Sequence, residues 1–285
     1  MSSVGKRLRL SRFFVRETNV GVIVPIDHAL TMGPIDGLEN TDAIASWIST
    51  PGITGVIAHK GMVERLAERN LLRGLGVMVH LNGMSTIASN PHRKELLTQI
   101  ETALRLGADG VSVQVNFDGR NDAHNLQLLG GVVDEALKVS VPVLAMVYDV
   151  APNIAPDKRT ERICHLSRIA IELGVDAIKL GAPETLDQVQ PILEHAAKDV
   201  PILFAGGKTT TDALLLDLLG ESLKWGGAGL CVGRNVFQRE KPELLLSKIH
   251  KLIQRQSAAR DPEISSVIEL SEFAEGWVRL ARQQT

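Results

Sequence analysis

The sequence predicts an α/β fold, a single (β/α)₈ barrel of the TIM type that takes up residues 1–285. Three observations lead to this prediction. Eight short aliphatic segments alternate with longer amphipathic ones. The length of 285 residues suits a barrel of about 250 residues with extensions. No linker or compositional break divides the chain. A doubly wound open sheet is the alternative, but it usually has fewer strands.

Each predicted strand is rich in valine, isoleucine or leucine and begins near a glycine, proline or aspartate. The eight strands are Gly21–His28, Gly55–Lys60, Gly76–Leu81, Gly110–Asn116, Pro142–Tyr148, Asp176–Leu180, Pro201–Ala205 and Gly229–Val232. Helix-like segments separate them, and the clearest are Arg93–Leu106, Asn125–Lys138, Thr160–Leu173, Leu186–Lys198 and Thr210–Trp225. This alternation is typical of parallel strands joined by helices.

Two segments lie outside the eight units. The C-terminal tail contains an amphipathic stretch, Ser265–Ala281, which predicts an extra helix that covers the barrel or contacts another subunit. The N-terminal extension, residues 1–18, is basic but lacks the apolar region of a signal peptide. We interpret it as a solvated or oligomer-contacting arm, and its basic residues are Lys6, Arg7, Arg9, Arg12 and Arg16.

Alternation within the strands predicts which side chains face the barrel axis. In Gly110–Asn116 the valines form one face and the polar residues form the other, so the polar face should point inward. In the sixth strand Ile178 and Leu180 form the outward pair. Lys179 is therefore expected to project into the barrel.

The C-terminal ends of barrel strands usually carry the reacting groups, and Lys179 is the strongest candidate. Burial disfavours an ammonium ion, so we expect a lowered pKa for Lys179 and an amine that can attack a ketone to form a Schiff base. The alternative is a structural lysine that pairs with Asp27 or Asp149.

Schiff-base chemistry also needs groups that move protons. Tyr148 is the only tyrosine of the chain and ends the strand beside that of Lys179, while Asp27 ends the first strand. A tyrosine acid and a carboxylate base would meet the requirement. The alternatives are a packed aromatic residue for Tyr148 and a helix N-cap for Asp27.

The last two strands are followed by a predicted phosphate site. Barrel enzymes often bind phosphate between these two loops, and an arginine adds paired hydrogen bonds. The predicted contacts are Gly206, Gly207, Gly233 and Arg234. The alternative is that these glycines only make tight turns.

Histidines end three consecutive predicted strands, namely His28, His59 and His80. A zinc-dependent enzyme would use a cluster of this kind as metal ligands. Hydrogen-bonding roles are favoured here, and no metal is predicted. His28 and Lys60 are expected to contact substrate. Lys60 and Lys208 also rival Lys179, although both sit at strand–loop junctions where water or phosphate keeps a lysine charged.

Composition excludes several classes of protein. The formal charge of −2, from 31 basic and 33 acidic residues, argues against a nucleic-acid-binding surface. The apolar runs are too short to cross a membrane. The cysteines Cys164 and Cys231 form no disulfide framework, which favours a reducing, cytoplasmic location.

The motifs together resemble the archaeal-type class I fructose-bisphosphate aldolase family. They are Val24-Pro25-Ile26-Asp27-His28, His59-Lys60-Gly61, His80-Leu81-Asn82-Gly83, Ile178-Lys179, Ala205-Gly206-Gly207 and Val232-Gly233-Arg234-Asn235-Val236-Phe237-Gln238. That family includes 2-amino-3,7-dideoxy-D-threo-hept-6-ulosonate synthase and a thiolase that degrades a phosphorylated autoinducer.

The resemblance implies a Schiff base on Lys179 with no other cofactor and no metal, a proton donor at Tyr148 and a proton acceptor at Asp27. It implies phosphate contacts at the glycines and arginine named above. It also implies a homo-oligomer, often a decamer, and a phosphorylated ketose such as one built from dihydroxyacetone phosphate and an aldehyde.

The sequence departs from the family at two places. Many relatives have Tyr-Pro-Arg-Gly where this chain has Tyr148-Asp149-Val150-Ala151, and the glycine loop runs Gly207-Lys208-Thr209 without the usual proline. One substrate-binding cation is thus missing, which weakens the case for fructose 1,6-bisphosphate. A bacterial branch joins dihydroxyacetone phosphate to aspartate semialdehyde, a pairing with one phosphate. The remaining alternatives are a coenzyme A-dependent thiolase acting on a phosphorylated diketone and a non-catalytic sugar-phosphate-binding barrel.

Overall fold

The computed structural model describes residues 3–260, in which eight parallel strands close into a barrel. The strands are β1 (Gly21–Pro25), β2 (Gly55–Ala58), β3 (Gly76–His80), β4 (Asn82–Gly83), β5 (Glu95–Leu96), β6 (Gly110–Phe117), β7 (Val143–Asp149), β8 (Ala177–Leu180), β9 (Ile202–Phe204) and β10 (Gly229–Cys231). Around the barrel the order is β1-β10-β9-β8-β7-β6-β3-β2, while β4 and β5 form a separate antiparallel pair. The predicted (β/α)₈ barrel is confirmed.

Helices alternate with the barrel strands. They are α1 (Val4–Leu10), α2 (His28–Met32), α3 (Thr41–Ile48), α4 (Lys60–Glu68), α5 (Ile100–Arg105), α6 (Asp122–Lys138), α7 (Pro156–Glu172), α8 (Val189–Ala196), α9 (Asp212–Lys224), α10 (Arg234–Phe237) and α11 (Pro242–Arg260), with 3₁₀ helices at Ser11–Phe13 and Leu186–Gln188. Within residues 3–260, no helix combines the length and apolar character of a membrane span. The predicted tail helix, Ser265–Ala281, lies outside the described residues.

Two hydrophobic layers confirm the predicted strand faces. The larger layer lies between strands and helices and includes Ile178, Leu180 and the valines of β6. The smaller layer fills the barrel, and its buried members are Phe13, Ile23, Ile57, Met78, Leu144, Met146, Ala177, Leu203 and Cys231. Ile178 and Leu180 flank Lys179 in the sequence and both face the helices. Because side chains alternate along a strand, Lys179 faces the barrel interior.

The predicted helix Arg93–Leu106 is wrong in its first half. Residues Glu95–Leu96 form β5, which pairs with β4, and α5 begins only at Ile100. The backbone N–H groups of Leu97 and Thr98 both donate to the carbonyl of Leu81, which keeps this segment extended along the end of β3. The loop between β4 and β5 is thereby attached to the C-terminal end of the barrel.

The first predicted strand is too long at its C-terminus. β1 ends at Pro25, and Asp27 occupies the N-cap position of α2. The Asp27 side chain makes no capping hydrogen bond, so the helix-cap alternative for this residue is wrong. Its carboxylate is instead available to the barrel mouth.

The N-terminal arm is bound to the barrel. Lys6 is buried and its Nζ lies 3.1 Å from Oδ2 of Asp176, while Arg12 forms an ion pair with Asp109. Asp109 also accepts the backbone N–H of Val77 in β3, and Asp176 accepts that of Val143 in β7. The interpretation of the arm as solvated is wrong for Lys6, because Asp176 pairs with its ammonium group at the N-terminal end of the barrel.

Phe13 closes that end of the barrel. The side chain is fully buried, and a Cβ added to Gly55 or Gly76 would lie 2.6 or 2.7 Å from its ring, which explains why both strands begin with glycine. We expect Phe13→Ala to lower the free energy of unfolding by about 3–5 kcal/mol, because it leaves a cavity among packed side chains. Urea denaturation measures this, with the exposed Leu214→Ala as the control. A loss below about 1 kcal/mol would contradict the role of Phe13 as a plug.

Candidate active site

Lys179 lies at the centre of a polar site in the barrel mouth. The residue is 5% exposed, and its Nζ lies 3.8 Å from Sδ of Met146 on the neighbouring strand β7. Tyr148, near the end of β7, and Asp27 both lie close enough to act on the charge of Lys179. The structure thus brings together the three residues predicted to be catalytic.

The pKa of Lys179 shifts in the direction opposite to the sequence prediction. Burial is the largest influence and lowers the pKa, but the negative charges of Tyr148 and Cys231 in their ionised forms and of Asp27 raise it more. The net pKa of Lys179 lies above the ordinary lysine value. The sequence prediction considered desolvation and left out these acidic groups, of which Asp27 is ionised at neutral pH while the buried Cys231 thiol, with its pKa raised to about 11, is not.

Asp27 and His80 form a buried polar pair. Nε2 of His80 lies 3.7 Å from Oδ2 of Asp27, and Nδ1 of His80 lies 2.7 Å from Oγ of Ser112, an inward residue of β6. Burial raises the pKa of Asp27, but His80, His28, Lys179 and His59 lower it to about 2. Burial lowers the pKa of His80 to about 3 despite the opposing effect of Asp27. At neutral pH the pair is therefore a carboxylate beside a neutral imidazole.

The three histidines take up separate contacts. The ring centroids of His59 and His80 are 5.2 Å apart, whereas His28 packs edge-on against Phe237 at 5.4 Å. Within residues 3–260, no group of three or more His, Cys, Asp or Glu side chains is arranged to hold a metal ion. His28 instead has a buried Nδ1 that lacks a hydrogen-bond partner within this part of the chain.

Asp149 does not take part in the lysine site. Both of its carboxylate oxygens accept hydrogen bonds from Arg162 of α7, at 2.7 and 2.9 Å. The pKa of Asp149 is lowered, because these bonds and the Arg162 charge outweigh its desolvation. A structural pairing of Lys179 with Asp149 is therefore wrong, and the position after Tyr148 carries no free charge.

Asn235 joins the two loops of the predicted phosphate site. Its Nδ2 donates to the carbonyls of Gly206 and Lys208 at 3.0 and 3.1 Å, and its Oδ1 accepts the Thr210 N–H at 2.9 Å. A Cβ on Gly206 would lie 2.5 Å from that Nδ2, and Gly207 has a φ of +65°. The sequence analysis included Asn235 in the last motif but gave it no role, because no local pattern indicates a contact across the two loops.

The second glycine of this site adjoins β1. A Cβ on Gly233 would lie 2.6 Å from the Pro25 carbonyl and 2.7 Å from Cε1 of His28, so only glycine fits there. The next residue, Arg234, has a buried Nε that lacks a partner among residues 3–260. One unpartnered buried donor, the Nε of Arg234, thus belongs to the residue after Gly233, while Nδ1 of His28 lies 3.6 Å from Oδ1 of Asp27. Buried donors of this kind favour an anionic ligand.

Lys60, a predicted substrate contact, and Lys208, a rival of Lys179, are both exposed, and one buried lysine was missed. Lys60 is exposed at the start of α4 and donates to the Leu97 carbonyl at 2.9 Å, and Lys208 is exposed in the glycine loop. Lys94, by contrast, is buried and feels the charge of Asp27. It lies in the segment that the sequence analysis assigned to a helix, where no strand-end signal marked it.

A family comparison agrees with this arrangement. The model of the "DeoC/LacD family aldolase" matches residues 21–239, from β1 to just beyond α10. The chain belongs to the DeoC/LacD family of aldolases. The matched range contains all eight barrel strands of this aldolase, together with Asp27, Tyr148, Lys179 and Arg234.

Individual relatives of this DeoC/LacD aldolase cover nearly the whole chain. The 2-amino-4,5-dihydroxy-6-oxo-7-(phosphonooxy)heptanoate synthase of Streptomyces griseus is 30% identical over 264 residues, 90% of this chain and 94% of the relative. The 2-amino-3,7-dideoxy-D-threo-hept-6-ulosonate synthase 1 of Archaeoglobus fulgidus is 30% identical over 250 residues, 88% and 91% of the two chains.

Among solved structures, a Schiff-base-forming fructose-1,6-bisphosphate aldolase is 25% identical with a TM-score of 0.76, over 87% of this chain and 99% of that one. The family predicted from the motifs is thus confirmed. The chain is an aldolase, and class I chemistry, through a covalent lysine intermediate, fits both the family and the site.

Proposed function

We propose that Lys179 forms the Schiff base with the ketone of a phosphorylated donor such as dihydroxyacetone phosphate, with Tyr148 as proton donor and Asp27 as proton acceptor. The observation that carries this proposal is the amine of Lys179, buried inside the barrel next to Tyr148 and within the field of Asp27. No external cofactor takes part in this scheme, since the covalent bond to lysine supplies the electron sink.

Lys179 must lose a proton before it attacks the ketone. This proton passes to solvent as the substrate binds, so that Asp27 is still a carboxylate when the proton on carbon is removed later. The neutral amine then adds to the carbonyl carbon, and Tyr148 protonates the departing hydroxyl so that water leaves. Asp27 removes a proton from the adjacent carbon to give the enamine, which attacks the acceptor aldehyde.

We further propose that the donor phosphate binds Gly206, Gly207, Gly233, Arg234 and His28. The unpartnered buried Nε of Arg234 supports this placement, and so does the ring of His28, whose Cε1 would lie 2.7 Å from a Cβ on Gly233. So does Asn235, which fixes the loops after β9 and β10 relative to one another. The phosphate would then lie at the ends of β9, which neighbours the lysine strand β8, and β10, which neighbours β9.

Arg234→Met is expected to raise KM for dihydroxyacetone phosphate about 10- to 100-fold, because a charged hydrogen bond contributes roughly 1.5–3 kcal/mol. Unphosphorylated dihydroxyacetone should be used equally well by the variant and the wild type. Steady-state kinetics with both donors measure this, and the exposed Arg73→Met serves as the control. Equal losses with both donors would contradict a phosphate contact.

We propose that the acceptor is an aldehyde that carries a carboxylate, with aspartate semialdehyde as the first candidate. The S. griseus relative is named for a heptanoate product that bears both an amino acid end and a phosphate. Fructose 1,6-bisphosphate is the second candidate, from the structural relative. Since Val150 stands where many relatives have the arginine, the substrate-binding cation is missing and the first pairing suits this chain better.

The proposed donor chemistry is tested by hydrogen exchange. Incubation with dihydroxyacetone phosphate alone in D₂O should exchange one carbon-bound proton of the donor, because the enamine forms without an acceptor. NMR follows the loss of that proton signal. Turnover of an aldehyde without any such exchange would exclude the enamine route.

We also propose a cytoplasmic homo-oligomer, with a decamer as the assembly that the family resemblance implies. The two free cysteines suit a reducing compartment. Val4 and Leu8 of α1 are exposed apolar residues. The helix α1 lies near the exposed Leu137 of α6, because a Cβ on Gly5 would lie 3.7 Å from Ser140. This apolar surface suits a contact between copies. Light scattering determines the number of subunits.

A further inference from the structure

Lys94 is a buried cation with little to balance it. The residue is 3% exposed, and its Nζ makes one hydrogen bond, to the Met84 carbonyl at 3.4 Å. Within residues 3–260, no carboxylate lies within 4.0 Å of it. An ammonium ion has three donors, so at least two N–H groups are left for another ligand.

The hairpin of β4 and β5 places Lys94 at the barrel mouth. Lys94 precedes Glu95, which pairs with Gly83, and a Cβ on Gly83 would lie 3.6 Å from Cε1 of His59. The ring of His59 in turn contacts that of His80, which adjoins Asp27. Burial lowers the pKa of Lys94 and the Asp27 carboxylate raises it, with a net decrease. Lys94 therefore belongs to the same electrostatic site as Asp27.

Neighbouring polar groups hold the backbone at Lys94. Nε2 of His124 on α6 lies 2.8 Å from the Lys94 carbonyl, and Asn116 at the end of β6 donates to the His92 carbonyl at 3.3 Å. Asn90 and Asn121 exchange hydrogen bonds at 3.0 and 3.2 Å. The position of Lys94 is thus built by contacts from the barrel and from α6.

Strand order puts this lysine opposite the proposed phosphate site. In the ring of eight strands β3, which leads into the hairpin, stands four strands from β9 in either direction. The glycine loop follows β9, and Lys179 lies on β8 beside it. A substrate held by its phosphate at Arg234 would extend past Lys179 toward the side that carries Lys94.

We propose that Lys94 forms a second anion subsite, which binds the carboxylate or phosphate at the far end of the acceptor aldehyde. This inference rests on the proposed aldol reaction and assigns to Lys94 the anion contact for which many relatives have an arginine where this chain has Val150. Lys94 selects acceptors by charge and takes no part in the chemistry at Lys179.

The test compares acceptors with dihydroxyacetone phosphate as fixed donor. Succinic semialdehyde carries a carboxylate, glyceraldehyde 3-phosphate a phosphate, and glyceraldehyde no charge. For Lys94→Met we expect the ratio of kcat/KM for an anionic acceptor to that for glyceraldehyde to fall tenfold or more, roughly the effect of one charged hydrogen bond. Lys94→Arg should restore most of this ratio. The anionic acceptor whose kcat/KM falls more in Lys94→Met carries the group, carboxylate or phosphate, that Lys94 binds better.

Lys138→Met on the exposed face of α6 is the matched control and should keep the wild-type ratio. General damage to the fold would lower kcat/KM for all three acceptors by the same factor and leave the ratio unchanged. An unchanged ratio in Lys94→Met therefore overturns the proposal. If that variant does not fold, Lys94→Gln is measured in the same way. Failure of the aldol reaction itself is visible earlier, as wild-type protein that neither exchanges the donor proton nor uses any acceptor.

Discussion

Lys179→Met is expected to reduce kcat/KM by at least about 10⁴-fold, the scale on which removal of a covalent nucleophile acts. The variant has no amine that can form an imine, and the methionine side chain fits beside Met146 and the other apolar residues of the barrel interior. Steady-state kinetics of the aldol reaction measure the loss. Urea denaturation checks that the variant is folded.

Lys179→Arg is the matched variant, because it keeps a positive charge near Asp27 but offers no nucleophilic amine. If Lys179 only balanced the charge of Asp27, the arginine variant would keep much of the activity. Our scheme expects it to be as inactive as the methionine variant. If Lys179→Arg retained more than about 1% of the wild-type activity, the covalent role of Lys179 would be contradicted.

Tyr148→Phe is expected to lower kcat about 10²- to 10⁴-fold, the usual contribution of a general acid or base. The ring still packs against the interior of the barrel, and only the hydroxyl beside Lys179 is lost. Because the proposed phosphate contacts lie on the loops after β9 and β10, KM for the donor should change little. A kcat close to that of the wild type would remove Tyr148 from the reaction.

The barrel and the position of Lys179 could be predicted from the sequence because both depend on local patterns. Alternation along β6 and β8 separates residues that face helices from those that face the axis. Glycine, proline and aspartate at the strand starts fix the register of the units. The C-terminal end of β1 and the start of α5 could not be placed. Before α5 the reason is that a two-residue strand such as β5 leaves no periodicity.

The electrostatics of the site depend on residues that are distant in the sequence. The net pKa of Lys179 depends on Tyr148 of β7, Cys231 of β10 and Asp27 after β1, which meet only when the barrel closes. In the same way Lys6 finds Asp176 at the other end of the barrel. No pattern within a window of the sequence reports such distances, so the prediction of a lowered lysine pKa failed while that of its location held.

The most direct test of the account is to trap the intermediate. Wild-type protein is incubated with dihydroxyacetone phosphate, reduced with borohydride, digested and analysed by mass spectrometry. The account expects the added mass of the reduced donor on the peptide that contains Lys179, and on no peptide of the Lys179→Arg variant. A donor adduct on Lys94, Lys60 or Lys208 in active protein, with Lys179 unmodified, would contradict it.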